Sequence, residues 1–138
     1  MRALTVGEVM TRDLVTMRPG DTLAALRDRM YERQIRHIPV VDDGGYLIGL
    51  VTHRDLLRNT LMERPGGSAY VEDSILEDLR VEEVMTRKLE VGSPNMALRD
   101  AARVMLDKKY GCLPVVDGQR LVGILTESDF MRVYLYED

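Results

Sequence analysis

Two threonine–aspartate pairs are the residues of this chain whose types and spacing could do chemistry. Thr52 stands three residues before Asp55, and Thr126 stands three residues before Asp129, each directly after an apolar run. This spacing at the start of a helix is typical of a capping box, in which the side chains satisfy free amides of the first turn. The same helix end attracts phosphate, and a nearby carboxylate can accept the hydroxyls of a ribose. The pattern therefore leaves helix capping and nucleotide binding open.

Basic residues and one thiol lie near these pairs. Arg36 and His37 precede an apolar run, and His53 and Arg54 open the segment that contains Asp55, so either pair could hold phosphate. The two histidines have no carboxylates at ligand spacing, and no metal site is expected. Cys112 is the lone cysteine, which argues against a disulfide or a cysteine-based zinc site. We expect a small buried hydrophobe there, with a modifiable thiol as the alternative.

Three segments of the first half of the chain return in the second half in the same order. They pair as residues 8–12 with 83–87, 39–42 with 114–117, and 49–55 with 123–129. Residues 6–58 and 81–132 are therefore two copies of one unit, and the two threonine–aspartate pairs correspond. Because duplicated units of this size usually pack with pseudo-twofold symmetry, two similar clefts are expected.

Each copy is predicted to contain strand, helix, strand, strand and helix. In copy one these are a strand at 14–17, a helix from Leu23, strands at 38–41 and 46–51, and a helix from His53. In copy two they are a strand at 89–91, a helix from Leu98, strands at 113–116 and 121–125, and a helix from Glu127. Helical spacing of apolar residues, β-branched runs and a hairpin turn support this order. The predicted class is α+β, sandwich-like.

Length and composition favour one compact module in which the copies share a core. The 138 residues divide into copy one at 1–62, a connector at 63–80 with a flexible break and one short helix, and copy two at 81–138. No apolar run approaches the roughly 18 residues of a membrane span and no secretory leader is evident, so a cytoplasmic location is expected. The net charge of -4 argues against a broad nucleic-acid surface.

The three repeated segments of each copy resemble the cystathionine-β-synthase (CBS) domain, which occurs as tandem pairs in regulatory proteins. The resemblance implies two pseudosymmetric CBS repeats packed through their sheets, with clefts that bind AMP, ADP, ATP or S-adenosylmethionine as regulatory ligand. It also implies a homodimer, or a protein partner, that reads the bound state. No required cofactor is expected, and the sequence lacks the nucleophile and base of an enzyme. The alternative is a structural dimerisation module whose clefts stay unoccupied.

The resemblance also implies two crossed sites, because in the family the aspartate of one copy faces the adenine pocket of the other. Site A would comprise Thr11, Thr16, Ile35, Arg36, His37, Ile38, Pro39, Thr126 and Asp129. Site B would comprise Thr52, Arg54, Asp55, Thr86, Val91, Tyr110, Gly111, Cys112, Leu113 and Pro114. Apolar side chains such as Ile38 and Leu113 would sandwich the adenine, and their backbone would read its edge. Site A is favoured, because Val91 replaces the hydroxyl of Thr16 in copy two.

Overall fold

The computed structural model describes residues 3–63, 66–67, 69–71 and 73–136. Their helices and strands in chain order are α1 (Val6–Val9), α2 (Leu23–Arg33), β1 (His37–Val41), β2 (Leu47–Thr52), α3 (His53–Thr60), β3 (Leu61–Glu63), β4 (Ala69–Val71), α4 (Asp73–Asp78), α5 (Val81–Val84), α6 (Leu98–Lys108), β5 (Cys112–Asp117), β6 (Arg120–Thr126) and α7 (Glu127–Tyr136). The strands form three two-stranded sheets, β1 with β2, β3 with β4, and β5 with β6. The fold class is α+β, as predicted.

The chain forms two compact units, and they differ from the two halves of the sequence. Unit 1 comprises Met1–Leu14, Gly45–Leu47 and Glu90–Asp138, and unit 2 comprises Val15–Gly44 and Ile48–Leu89. Each unit therefore joins the body of one copy to the leading segment of the other. The boundaries predicted at 62 and 80 divide the sequence repeats, and the compact units cut across them.

Each unit has its own core, and both copies contribute to each core. In unit 1, Val6 and Met10 from the first copy pack with Val115 and Leu125 from the second. In unit 2, Leu26, Ile38 and Val51 pack with Val81 and Met85, and the main buried cluster also includes Leu76 of the connector. The leading segments are thus fixed by burial of their apolar residues, which removes these side chains from water.

The repeated Met-Thr and Gly residues of the two copies meet in the same way in both units. In unit 1, Thr11 and Ile124 exchange backbone hydrogen bonds of 2.8 and 3.0 Å, and in unit 2 Thr86 and Leu50 exchange two of 2.9 Å. In each unit the residues just before the bridged pair are a glycine and a methionine in close contact. A Cβ at Gly123 would overlap Met10, and a Cβ at Gly49 would overlap Met85. These motif residues are therefore needed to seat each leading segment on a strand.

The predicted leading strands at 14–17 and 89–91 are wrong. The structure has one parallel bridge at the end of the first segment, Met17 with Val40, and one just after the second, Gly92 with Val115. Two residues after each bridge the chain reaches a proline, Pro19 or Pro94. Because proline has no amide to donate and fixes its own backbone angle, pairing ends there.

Four further elements separate the observed fold from the predicted one. The short helices α1 and α5 were not predicted, since four residues are too few to show helical periodicity. The connector contains the antiparallel pair of β3 and β4, with Met62 opposite Tyr70, in addition to the predicted helix, which is α4. The other predicted helices and strands are confirmed, with bounds that shift by a residue or two.

Two left-handed residues turn the chain from helix to strand at equivalent places. Gln34 ends α2 with φ of 53°, and Lys109 ends α6 with φ of 59°. The backbone amides that follow still bond back to the helices, Ile35 to Met30 and Tyr110 to Met105, at 3.1 and 2.9 Å. These turns deliver the two predicted adenine-reading segments to the start of β1 and of β5.

Candidate functional site

In unit 1 the Asp129 carboxylate lies at the start of α7, directly after β6. It is buried, with 2% of the residue exposed. Its Oδ2 accepts hydrogen bonds from the backbone amide of Thr126 at 2.9 Å and from the Thr126 hydroxyl at 3.3 Å. Its Oδ1 accepts one from the Thr11 hydroxyl at 2.9 Å and one from Nη1 of Arg132 at 2.6 Å. We call these four residues the Asp129 box.

The Asp129 box joins residues that are far apart in the sequence. Thr11 reaches the carboxylate because its backbone bridges Ile124, two residues before Thr126 on β6. The two residues were predicted to share site A, and the structure brings them into direct contact. Arg132 was missed from the sequence, although its position three residues after Asp129 on a helix is the spacing at which side chains meet.

In unit 2 the corresponding Asp55 lies at the start of α3. Its Oδ2 accepts the backbone amide of Thr52 at 2.9 Å, and its own amide donates to the Thr52 hydroxyl at 3.1 Å. We call this pair the Asp55 box, and it is a complete capping box. Asp55 is only half-buried. Within the part of the chain that the structure describes, nothing donates a hydrogen bond to its Oδ1.

The Asp55 box lacks the two further donors of the Asp129 box, although the sequence supplies them. Thr86 bridges Leu50 as Thr11 bridges Ile124, but Thr86 is exposed and its hydroxyl makes no hydrogen bond to the described residues. Arg58 follows Asp55 by three residues, as Arg132 follows Asp129, yet it is exposed and pairs with no described acid. The two boxes therefore share residue types and backbone geometry but differ in hydrogen bonding.

The predicted adenine-reading segments lie at the start of β1 and β5, with their apolar side chains in the cores. Ile38 is 0% exposed and Leu113 is 1% exposed. Pro39 and Pro114 are buried as well, and their carbonyls accept the amides of Met17 and Gly92 respectively. The surface that a ligand would meet is therefore formed by neighbours rather than by these side chains. Apart from Thr86 and the residues of the two boxes, the exposed or half-exposed predicted residues are Thr16, Ile35, Arg36, His37, Arg54, Val91, Tyr110 and Gly111.

Cys112 is the partner of Thr126 in the antiparallel pairing of β5 with β6. It is buried, with 4% exposed. Burial raises the pKa of its thiol to about 12, because the charged thiolate would lose its hydration. The expected small buried hydrophobe is confirmed, and a neutral, shielded thiol is a poor nucleophile.

An open hollow of about 710 Å³ lies in unit 2 beside the Asp55 box. It is lined by Arg27, Met30, Tyr31, Glu32, Gln34, Ile35, Arg36, His53 and Leu56. The amide of His53 donates to the carbonyl of Arg36 at 2.9 Å, which ties the start of α3 to the start of β1. Two basic residues that the sequence assigned to different pairs thus line one surface.

Over the residues that the structure describes, no helix combines the length and the apolar character needed to cross a bilayer.

Comparisons with known proteins agree on one family. The family model of the CBS domain matches residues 6–61 and again residues 81–136. The chain is 35% identical over 126 residues to the CBS domain-containing protein YhcV of Bacillus subtilis, covering 91% of this chain and 81% of that protein. It is 30% identical over 128 residues to the uncharacterized protein MJ1225 of Methanocaldococcus jannaschii. That match covers 93% of this chain but spans only 42% of the relative.

A solved structure supplies a comparison with a bound ligand. The chain superposes on CBSX2 of Arabidopsis thaliana, crystallised in complex with AMP, with a TM-score of 0.79 and 31% sequence identity. The match covers 96% of each chain. The similarity therefore extends over the full pair of domains in both proteins.

Proposed function

The chain belongs to the family of CBS-domain proteins, with two copies of the domain, and from this premise we propose that it is a regulatory module for an adenosine-containing ligand. AMP, ADP, ATP and S-adenosylmethionine are the candidate ligands. The AMP complex of CBSX2 supports this class, since that protein is similar along its whole length. A homodimer or a protein partner in the cytoplasm would read the bound state. The proposal includes no catalysis and no required cofactor.

The observation that carries the proposal is the unused acceptor of Asp55. One oxygen of this carboxylate holds the Thr52 amide, while the other receives no hydrogen bond from the described residues. Ribose hydroxyls are donors, and an ionised carboxylate accepts two such donors well. A half-buried carboxylate is also less screened by water than a surface one. Asp55 can therefore bind ribose while its other oxygen continues to cap α3.

Phosphate binding is assigned to the first turn of α3. His53 and Arg54 are the first two residues of this eight-residue helix, and both are exposed. The amides of His53 and Asp55 already donate to the Arg36 carbonyl and the Thr52 hydroxyl. The positive end of the helix dipole still attracts an anion, and the Arg54 guanidinium can add a bidentate contact. Arg36 lies close to His53 through their backbone hydrogen bond. The proposed anion site thus has both fixed dipoles and mobile cations.

Adenine is assigned to the predicted segments at the start of β1 and β5. Because Ile38 and Leu113 are buried, these segments offer backbone groups and flanking side chains such as Ile35 and Tyr110. Binding sites of this kind combine an apolar surface with a few fixed polar groups. The full proposed sets remain those of sites A and B.

The second candidate function is the structural module, and the Asp129 box favours it. This carboxylate is buried and receives four hydrogen bonds from the chain itself. A carboxylate so engaged stabilises the entry to α7 without any ligand. If the Asp55 box served only as a cap as well, both motifs would be purely structural.

Thermal unfolding in the presence of each candidate ligand distinguishes the two functions. A ligand at 100 times its dissociation constant stabilises the fold by about 2.7 kcal/mol. We expect a raised Tm with at least one adenosine ligand and none with GTP or uridine monophosphate as base controls. An unchanged Tm with all four adenosine ligands at millimolar concentration would favour the structural module.

A further inference from the structure

The geometry points to Arg132 as an internal competitor that occupies the Asp129 carboxylate and weakens ligand binding at site A. This inference rests on the proposed function, since it concerns how one of the two proposed sites is regulated. It assigns the lower affinity to site A and makes Arg132 an affinity-determining residue of this chain.

The first support is the contrast in exposure across the ion pair. The Arg132 side chain is 62% exposed, while the Asp129 side chain is 1% exposed. Nη1 of Arg132 lies 2.6 Å from Oδ1. The guanidinium is thus the group of this pair that faces solvent, and the carboxylate offers almost no surface to an incoming hydroxyl.

The second support is the number of donors. An ionised carboxylate has about four lone-pair sites, two on each oxygen. In the Asp129 box four donors occupy them: the Thr126 amide and hydroxyl on Oδ2, and the Thr11 hydroxyl and Arg132 on Oδ1. A ribose hydroxyl can therefore be accepted only after one of these donors leaves.

Of the two donors to Oδ1, the Thr11 hydroxyl and Arg132, the arginine can leave more readily. The Thr126 amide is fixed by the backbone, and Thr11 is held by its bridge to Ile124. The Arg132 side chain is long and mostly exposed, so its guanidinium regains water when it swings away. Ligand entry at site A is therefore coupled to the loss of one ion pair.

The Asp55 box shows the same motif without this competition. Arg58 occupies the position that corresponds to Arg132, but it makes no ion pair with the described residues. Asp55 keeps one oxygen without a donor from them. The expected order of occupancy is site B first and site A second, which reverses the order favoured by the sequence.

The test is calorimetric titration with AMP in a background that isolates site A. Asp55→Asn weakens site B and can retain the cap through its amide oxygen. In this background we expect Arg132→Ala to tighten AMP binding about fivefold, the factor that corresponds to a partly exposed ion pair. Arg58→Ala is the matched control and should leave the affinity of site A unchanged. Thermal unfolding of each variant checks that it folds.

The outcomes separate this inference from the proposed function. Tighter binding with Arg132→Ala, or binding seen only in that variant, supports the competitor. If AMP binds the wild-type chain but Arg132→Ala leaves site A unchanged or weaker, the competitor is excluded and the proposed function stands. If no adenosine ligand binds the wild type or either arginine variant, the proposed function fails, and the competitor is rejected with it.

Discussion

The Asp55 box in unit 2 and the Asp129 box in unit 1 come from the same repeated motif, but among the described residues donors reach both carboxylate oxygens of Asp129 and one of Asp55. Both aspartates accept the amide of the threonine three residues earlier, at 2.9 Å in each case. Asp129 also accepts hydrogen bonds from the Thr11 hydroxyl and from Arg132, whereas the equivalent Thr86 and Arg58 donate none to Asp55. The duplication thus gives the two boxes the same backbone arrangement, but their side-chain hydrogen bonds differ.

The difference separates capping from ligand binding. Capping requires one carboxylate oxygen and one amide, and both boxes provide them. Ribose binding requires an oxygen with spare acceptor capacity, and within the described ranges Oδ1 of Asp55 receives no donor while Oδ1 of Asp129 receives two. A motif match alone therefore does not decide whether a site is open to a ligand.

The largest expected effect concerns the reactivity of the Cys112 thiol in unit 1. The equivalent residue of the first copy, in unit 2, is His37. With the pKa of the thiol raised to about 12, its thiolate fraction at pH 8 is lower by a factor of about 1000 than that of an ordinary cysteine. Because a thiolate of raised pKa is also more nucleophilic, iodoacetamide should label the folded chain at least tenfold more slowly than the chain in urea. Equal rates would show that β5 does not shield the thiol.

The same shift predicts the direction of a pH effect on stability. The folded-state pKa lies above the unfolded one, so the native state holds its proton more tightly. The contribution of Cys112 is present below about pH 9 and is lost as pH rises towards 12. Urea unfolding of wild type and Cys112→Ala between pH 7 and 11 should show a smaller alkaline loss in the variant.

The second difference concerns the two aspartates as structural groups. Asp129→Ala should lower the free energy of unfolding by about 2 kcal/mol, because it leaves the part-buried Thr11 and Thr126 donors without their acceptor. Asp55→Ala should lower it by about 1 kcal/mol, the value of a lost helix cap. Urea denaturation checks both. A larger loss for Asp55→Ala would contradict the claim that the Asp129 carboxylate has the more complete set of hydrogen bonds.

The third comparison concerns the glycines that seat the leading segments. Gly49→Ala should destabilise by about 2 kcal/mol and Gly123→Ala by about 1 kcal/mol, since overpacking a core is unfavourable. A Cβ at Gly49 would crowd the Thr86 carbonyl as well as Met85, whereas at Gly123 its nearest neighbours are atoms of the Met10 side chain. Denaturation midpoints decide the order, and in a Met10→Ala background the further cost of Gly123→Ala should disappear.

The smallest expected difference concerns the two equivalent arginines. Arg132→Ala should lower the free energy of unfolding by about 0.5 kcal/mol, because its pair with Asp129 is exposed on the arginine side. Arg58→Ala should have no measurable effect, since it pairs with no described residue. An equal loss for both variants would show that the arginines do not differ in solution.

Much of the fold could be predicted from local patterns. Helical periodicity located α2 and α6, and the Asp42–Gly45 turn located the hairpin of β1 and β2. The leading strands were wrong because a short apolar run does not show whether a neighbouring strand pairs along its whole length, and a single bridge forms at or next to each segment. The exchange of leading segments depends on packing over long sequence separations, which no local pattern records.

The sequence could predict which residues of the candidate site lie together, but not their burial or their hydrogen bonds. The resemblance grouped Thr11 with Asp129, and the structure places them in contact. It could not show that Arg132 closes this box or that Ile38 and Leu113 are buried. Rotamers and burial arise from tertiary packing, and two identical motifs in one chain can therefore differ in both.

Calorimetric titration of AMP into Asp55→Asn and Asp129→Asn tests the central claim most directly, with Asp107→Asn as an exposed control. We expect Asp55→Asn to weaken the tighter binding event at least tenfold, because it removes the charge that accepts the ribose. Asp129→Asn and Asp107→Asn should leave that event unchanged. If Asp129→Asn abolishes the tighter event and Asp55→Asn does not, the open site lies in the other box and the account is contradicted.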